Sequence, residues 1–178
     1  MTLKVLVIED DPDVRLGCEQ ALQLEGIPTH SAGSVEEARR FLCADYPGIV
    51  VSDIRLPRMD GLSFQRELTH DDPELPVVLI TGHGDISMAV KAMKDGVYDF
   101  IQKPFPPEQL VEVVKRALEK RRLVLEVREL RHRLEGRDQI EARLIGQSGG
   151  MMRVRELIAG LANSAADVLI QGDRKSVV

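Results

Sequence analysis

Acid, acid, hydroxyl and cation follow four apolar runs in turn. Glu9, Asp10 and Asp11 stand after KVLVI, Asp53 follows IVVS, Thr81 closes VVLIT, and Lys103-Pro104 comes after FIQ. Gathering Asp53 with Glu9 and Asp10 is electrostatically unfavourable. Two unit charges about 4 Å apart at an effective dielectric near 20 repel by roughly 4 kcal/mol. Repulsion of that size raises one carboxyl pKa by about three units unless something compensates. A divalent cation is the simplest compensation, and an all-oxygen, partly hydrated site suits Mg²⁺ better than a thiol-preferring metal. Mg²⁺ held by one or two carboxylates completes its shell with substrate phosphate. A lysine to hold a phosphoryl oxygen and a threonine hydroxyl to donate another hydrogen bond make the set a phosphoryl-capture site. Asp53 is then the nucleophile, forming an acyl phosphate.

Such residues work only if the chain brings them together. The apolar runs Lys4–Ile8, Ile49–Ser52, Val77–Thr81 and Phe100–Gln102 are continuous rather than alternating, as expected for strands covered on both faces. Pro28–Ala32, after Gly26, reads as a fifth strand at an edge. Helical patterns lie between them. Asp11-Pro12 opens one that carries Val14, Leu16, Cys18, Ala21, Leu22 and Leu24, with Gly26 closing it. Ser34 with Glu37 forms a capping-box signature before Ala38, Phe41 and Leu42. Leu62–Leu68, Ile86–Met93 and Leu110–Leu118 supply the rest. Strands alternating with helices predict an α/β fold with a doubly wound, five-stranded parallel sheet. In such sheets the working site lies beyond the carboxyl ends of the strands, where the acids, Thr81 and Lys103 fall.

The 178 residues suit one ordinary domain and an appendage, and 43% hydrophobic residues exclude wholesale disorder. No apolar run approaches the roughly 20 residues of a membrane span, and the acidic start of the chain does not read as a signal peptide. Cys18 and Cys43, both in helix-like segments, form no metal or disulfide framework, which favours a reducing cytoplasm. Residues 1–107 carry 10 Lys+Arg and 18 Asp+Glu, whereas residues 108–178 carry 14 and 11. An acidic unit followed by a basic one argues for two physical units, and the acidic surface argues against nucleic-acid binding by the first.

From Pro107 one helix is predicted to run past the domain. Leu110 to Leu134 is 25 residues, about 37 Å at 1.5 Å per residue. Leu123, Val127, Leu130 and Leu134 are spaced four, three and four, a heptad seam that fits a dimerising linker better than a solvated helix. The Arg-rich face (Arg121, Arg122, Arg128, Arg131, Arg133) reads as solvated surface or interhelix pairing. Gly136 is expected to interrupt the helix, leaving 136–143 as a polar connector, with a helix and a strand in 144–171. Lys175-Ser176 echoes a phosphate loop, but the second glycine of that motif is absent, so nucleotide binding is not expected.

The segments VLVIEDD, IVVSDIRLPRMDG, VVLITGHGD and DGVYDFIQKPF resemble the receiver domain of two-component response regulators, over roughly residues 1–120. The resemblance implies a flavodoxin-like sheet of order 2-1-3-4-5 with a long C-terminal helix, and Asp53 as phosphoacceptor. It implies that Asp10 and the Asp53 carboxylate bind Mg²⁺ directly, with the Arg55 backbone carbonyl as a third protein ligand and Glu9 acting through water. Asp11 is an additional acid, either a ligand or only the start of the first helix. Thr81 would donate to the phosphoryl group and Lys103 pair with it, across a cis Lys103-Pro104 peptide. Thr81 and Phe100 would form the switch, and Pro57 and Gly61 shape the loop after Asp53.

The stretch LIGQSGGMMRVRELIAGLANSAADVLIQGD resembles the opening of the central ATPase domain of sigma-54-dependent activators, which places the chain in the NtrC-like group. The expected organisation is a receiver over 1–120, a dimerising linker helix over 107–135, the connector, a truncated ATPase start over 144–171, and a truncated or non-native end over 172–178. The implied partners are a sensor histidine kinase and a second copy through the linker. Sigma-54 polymerase and DNA belong only to a full-length parent, and no membrane is involved. The expected chemistry is self-phosphorylation and self-dephosphorylation rather than enzymatic turnover. Two rival classes are an aspartyl-phosphate phosphatase, which needs an acid where this chain has Arg55, and a phosphate-independent dimerisation module, which has no use for an intact site.

Overall fold

In the computed structural model, which describes residues 2–82, 96–143 and 148–161, the apolar runs become five parallel strands. These are β1 (Lys4–Ile8), β2 (Thr29–Ala32), β3 (Gly48–Asp53), β4 (Val77–Thr81) and β5 (Asp99–Gln102). They are ordered β2-β1-β3-β4-β5, the expected flavodoxin-like arrangement. Because side chains alternate across a strand, the strands other than the edge strand β2 feed both layers. Leu6, Ile8, Val50, Val77 and Leu79 pack with Val35, Phe64 and Leu68 on one face. Val5, Val7, Ile49, Val51, Val78, Ile80 and Ile101 pack with Leu22, Leu110, Val114 and Ala117 on the other. Two buried faces explain why β1, β3 and β4 read as nearly unbroken apolar runs.

The helices are α1 (Pro12–Leu24), α2 (Val35–Ala38), α3 (Gly61–Asp71), α4 (Pro107–Arg143) and α5 (Gly149–Leu161). Asp11 caps α1, its carboxylate accepting from the Asp13 and Val14 amides, and Pro12 occupies the first turn. Gly26, at φ +69°, supplies the left-handed residue that ends the same helix. Ser34 caps α2, while Glu37 reaches back to the Gly33 amide at 2.8 Å.

Three expectations change at the level of the helices. The second helix is only one turn: it ends at Ala38, and a 3₁₀ turn spans Arg39–Phe41. Leu42 is extended and Asp45 is left-handed (φ +53°), and Pro47 disfavours helix before it, so the helical pattern through Leu42 is not continued. Cys43 consequently lies off the helix and exposed, whereas Cys18 is buried. Gly136 sits inside α4 rather than ending it, since the helix runs to Arg143. One interior glycine costs only about 1 kcal/mol relative to alanine, and the surrounding Glu135, Arg137, Gln139, Glu141 and Ala142 favour helix. The helix predicted over Ile86–Met93 and the strand predicted in 144–171 lie outside the described residues, as does 172–178; the helical part of 144–171 is α5.

The chain divides into two compact units, Met1–Val127 and Arg128–Val178. In the first, Leu110, Val113, Val114 and Ala117 of α4 are buried against the sheet at helical spacing. One turn further, Arg121 is also fully buried. Its Nε and Nη2 donate to the Tyr46 carbonyl at 3.1 and 2.8 Å, and Nη2 lies 2.7 Å from Asp72 Oδ2. Tyr46 precedes β3 and Asp72 caps α3, so this ion pair ties three elements together at the amino end of β3. Arg121 is therefore no part of a solvated basic face. In the second unit, Ser148 starts α5, its hydroxyl accepting from the Met151 amide at 3.3 Å.

Candidate functional site

Strand register places the site. Ile8 pairs with Ser52, Asp53 with Ile80, and Thr81 with Gln102. The next residue along β1 is Glu9, and along β5 it is Lys103. Glu9, Asp53, Thr81 and Lys103 therefore meet at the carboxyl edge of four adjacent strands. Glu9, Asp10 and Asp53 each present an oxygen within 4.8 Å of the others. Lys103 Nζ bridges two of them, donating to Asp53 Oδ2 at 2.5 Å and to Glu9 Oε2 at 2.7 Å. The Arg55 amide donates to Asp53 Oδ1 at 2.7 Å, which fixes the orientation of that carboxylate.

Burial makes the charges interact strongly. Glu9 is fully buried and Asp53 is 6% exposed, whereas Asp10 is open to solvent. Desolvation pushes the Glu9 carboxyl up to about 7, reinforced by the Asp53 charge and opposed by the Lys103 hydrogen bond. Burial alone would lower Lys103, but its hydrogen bonds to Asp53 and Glu9 outweigh that and raise it. Thr81 is fully buried, and its Oγ1 has no hydrogen-bond partner among the described residues. A buried hydroxyl without a partner is costly, and this one stands beside the carboxylate cluster on the sheet edge.

The backbone around Asp53 leaves little freedom. The Gly61 amide donates to the Ile54 carbonyl at 2.9 Å. A Cβ on Gly61 would lie 2.1 Å from the Asp53 carbonyl oxygen, so only glycine fits. In the same loop the Met59 amide donates to the Pro57 carbonyl at 2.9 Å. The Lys103–Pro104 peptide is cis, and the Lys103 amide donates to the Thr81 carbonyl at 2.7 Å.

The site thus gathers Glu9, Asp10, Asp53 and Lys103, with Thr81 on the same edge. Asp11 stands apart because its carboxylate caps α1. Phe100 is half-buried against the core layer that contains Phe64 and Leu79. Sequence reasoning missed Arg15, whose Nη1 donates to the Glu9 carbonyl at 2.6 Å and lies 3.4 Å from the Asp10 carbonyl. Its position one turn into a capped helix that follows the acids was the available signal.

Three carboxylate oxygens at this spacing, two of the groups buried, form a donor set that fits a hard, oxygen-preferring cation such as Mg²⁺. A model of the response regulator receiver domain matches residues 5–115. The chain belongs to the response regulator receiver family. The chain is 49% identical over 170 residues to the C4-dicarboxylate transport transcriptional regulatory protein DctD of Pseudomonas aeruginosa, covering 96% of this chain and 37% of that protein. It is 48% identical over 172 residues to the DctD of Rhizobium meliloti, with 97% and 37% covered. Among solved structures, the receiver domain of NtrX from Brucella abortus matches with 42% identity and a TM-score of 0.62, over 65% of this chain and 98% of that one. The relatives place the chain among NtrC-family response regulators. The chain spans 37% of the length of the DctD proteins it matches. No helix among the described residues is long and apolar enough to cross a membrane.

Proposed function

We propose that this receiver accepts a phosphoryl group on Asp53 from a sensor histidine kinase. The observation that carries the reading is Lys103 Nζ held within 2.7 Å of both Asp53 and Glu9, at the meeting of four strand ends. An Asp53 carboxylate oxygen attacks phosphorus, the P–N bond to the kinase imidazole breaks, and the electron pair stays on that nitrogen. Lys103 then pairs with a phosphoryl oxygen, and the Thr81 hydroxyl donates to another, gaining the partner it lacks among the described residues. Asp10, Asp53 and the Arg55 carbonyl would hold Mg²⁺ directly and Glu9 would act through water. The ion supplies positive charge that offsets the crowded carboxylates and the incoming phosphoryl oxygens. Hydrolysis of the acyl phosphate resets the site.

The phosphorylated state adds about −2 of charge. Inward movement of Thr81 would vacate space for Phe100, biasing a pre-existing equilibrium. The organisation that follows is a receiver over 1–120 and a helical linker over 107–135 that dimerises through Leu123, Val127, Leu130 and Leu134. Residues 136–143 continue that helix, and 144–171 begin an ATPase domain. In a full-length parent, phosphorylation would control dimerisation and, through it, sigma-54-dependent transcription, in the cytoplasm. Incubation with radiolabelled acetyl phosphate and Mg²⁺ tests the core of this. Label is expected on the wild-type chain and absent from Asp53→Ala; equal labelling of both overturns the assignment.

A further inference from the structure

We propose that Arg15 is a positioning residue for the divalent-cation site, a role that rests on the Mg²⁺ reading above. Its guanidinium crosses the loop that carries the first two acids, with Nη1 donating to the Glu9 carbonyl at 2.6 Å and 3.4 Å from the Asp10 carbonyl. The same guanidinium lies over Gly33 at the end of β2, where an added Cβ would meet Nη1 at 3.4 Å. The Glu9 amide, in turn, donates to the Ala32 carbonyl at 3.1 Å. The Glu9 peptide is therefore pinned from both sides, by β2 through its N–H and by α1 through its C=O. Those two peptide units set where the Glu9 and Asp10 carboxylates point. Asp10 is exposed, so its direction follows from this pinned backbone rather than from packing around its side chain.

The sign of the effect separates this role from simple electrostatics. Arg15 is a cation near a cation site, so its charge alone opposes binding of Mg²⁺, and neutralising it would tighten binding. Ordering of the acid loop acts the other way: without Arg15 the carboxylates must be ordered by the ion, and binding weakens. Groups that orient metal ligands without touching the metal typically contribute about 10-fold or more in affinity.

The test is calorimetric titration of the full chain with Mg²⁺ alone, and with Mn²⁺ as a second probe, alongside thermal melting without metal. Arg15→Gln is expected to weaken binding about 10-fold while the metal-free melting temperature falls by only a few degrees. Arg15→Lys keeps the charge and one donor direction, and is expected to recover part of the affinity, to within about three-fold of wild type. Unchanged or tighter binding by Arg15→Gln overturns the proposal. So does a collapse of metal-free melting in both variants with no recovery by lysine, which marks a purely structural role. If Arg15→Gln does not fold, Arg15→Met takes its place under the same criterion: unchanged or tighter binding overturns the claim. Asp10→Asn separates the two layers. If it binds ions like wild type, the metal-site reading fails and takes this proposal with it; if it abolishes binding while Arg15→Gln does not weaken it, only the role of Arg15 falls.

Discussion

Two buried polar groups at the sheet edge, Glu9 and Thr81, make opposite demands on the metal-free protein. The Glu9 carboxyl, raised to about 7 chiefly by desolvation, binds its proton more tightly folded than unfolded. Between the ordinary carboxylate range near 4.5 and about 7, the folded state therefore holds the extra proton, and stability falls as pH rises through that window. A loss on the order of 2 kcal/mol between pH 5 and 7.5 is expected in urea unfolding without metal. Saturating Mg²⁺ should flatten the slope, because it favours the ionised carboxylate. Thr81 behaves differently. Its buried hydroxyl has no partner among the described residues, so Thr81→Val is expected to stabilise the unphosphorylated chain by about 1 kcal/mol. The same substitution should slow labelling by acetyl phosphate, since it removes the donor proposed for the phosphoryl group. A variant that both destabilises the fold and labels normally would contradict that assignment.

At the scale of elements, the strands were the most legible part. Lys4–Ile8 and Val77–Thr81 match the predicted runs residue for residue, because a strand buried on two faces has an unbroken apolar interior. The residues gathered at the site were legible for a related reason: each stands one or two steps beyond such a run, or closes it. What could not be read is what depends on a distant partner. Arg121 looked like surface because it was grouped with Arg122, Arg128, Arg131 and Arg133 as one arginine-rich face, yet it is buried by Tyr46 and Asp72, which the sequence separates from it by 75 and 49 positions. Removing one member of a buried ion pair leaves the other uncompensated, so Arg121→Ala is expected to cost about 3–5 kcal/mol in urea unfolding. An Arg121→Met, Asp72→Asn double-mutant cycle should show coupling above about 1 kcal/mol. The loss of the second helix after Ala38 has a local cause instead, because a left-handed Asp45 and Pro47 beyond the pattern overruled it.

For the whole molecule, the informative surface is the seam on α4. Leu123, Val127, Leu130 and Leu134 are 45–61% exposed, an apolar line that water would disfavour on an isolated helix. Leu130→Glu is expected to shift the solution mass from dimer to monomer in light scattering, with the receiver's circular dichroism unchanged. A dimer that persists in that variant would move the contact elsewhere. Repeating the measurement with a beryllofluoride mimic reads whether phosphorylation makes or breaks the pair.

One consequence of α4 concerns where the polypeptide can be cut. The helix that supplies Leu110, Val113, Val114 and Ala117 to the core is the same one that leaves it. Arg121 is sealed from solvent, whereas Arg122 is more than half exposed. Limited trypsinolysis should therefore trim the chain back towards Arg128 or Arg122 and then stall. The resistant fragment sets the shortest span that keeps its shape, and a gene truncated at Pro106 should give only aggregate.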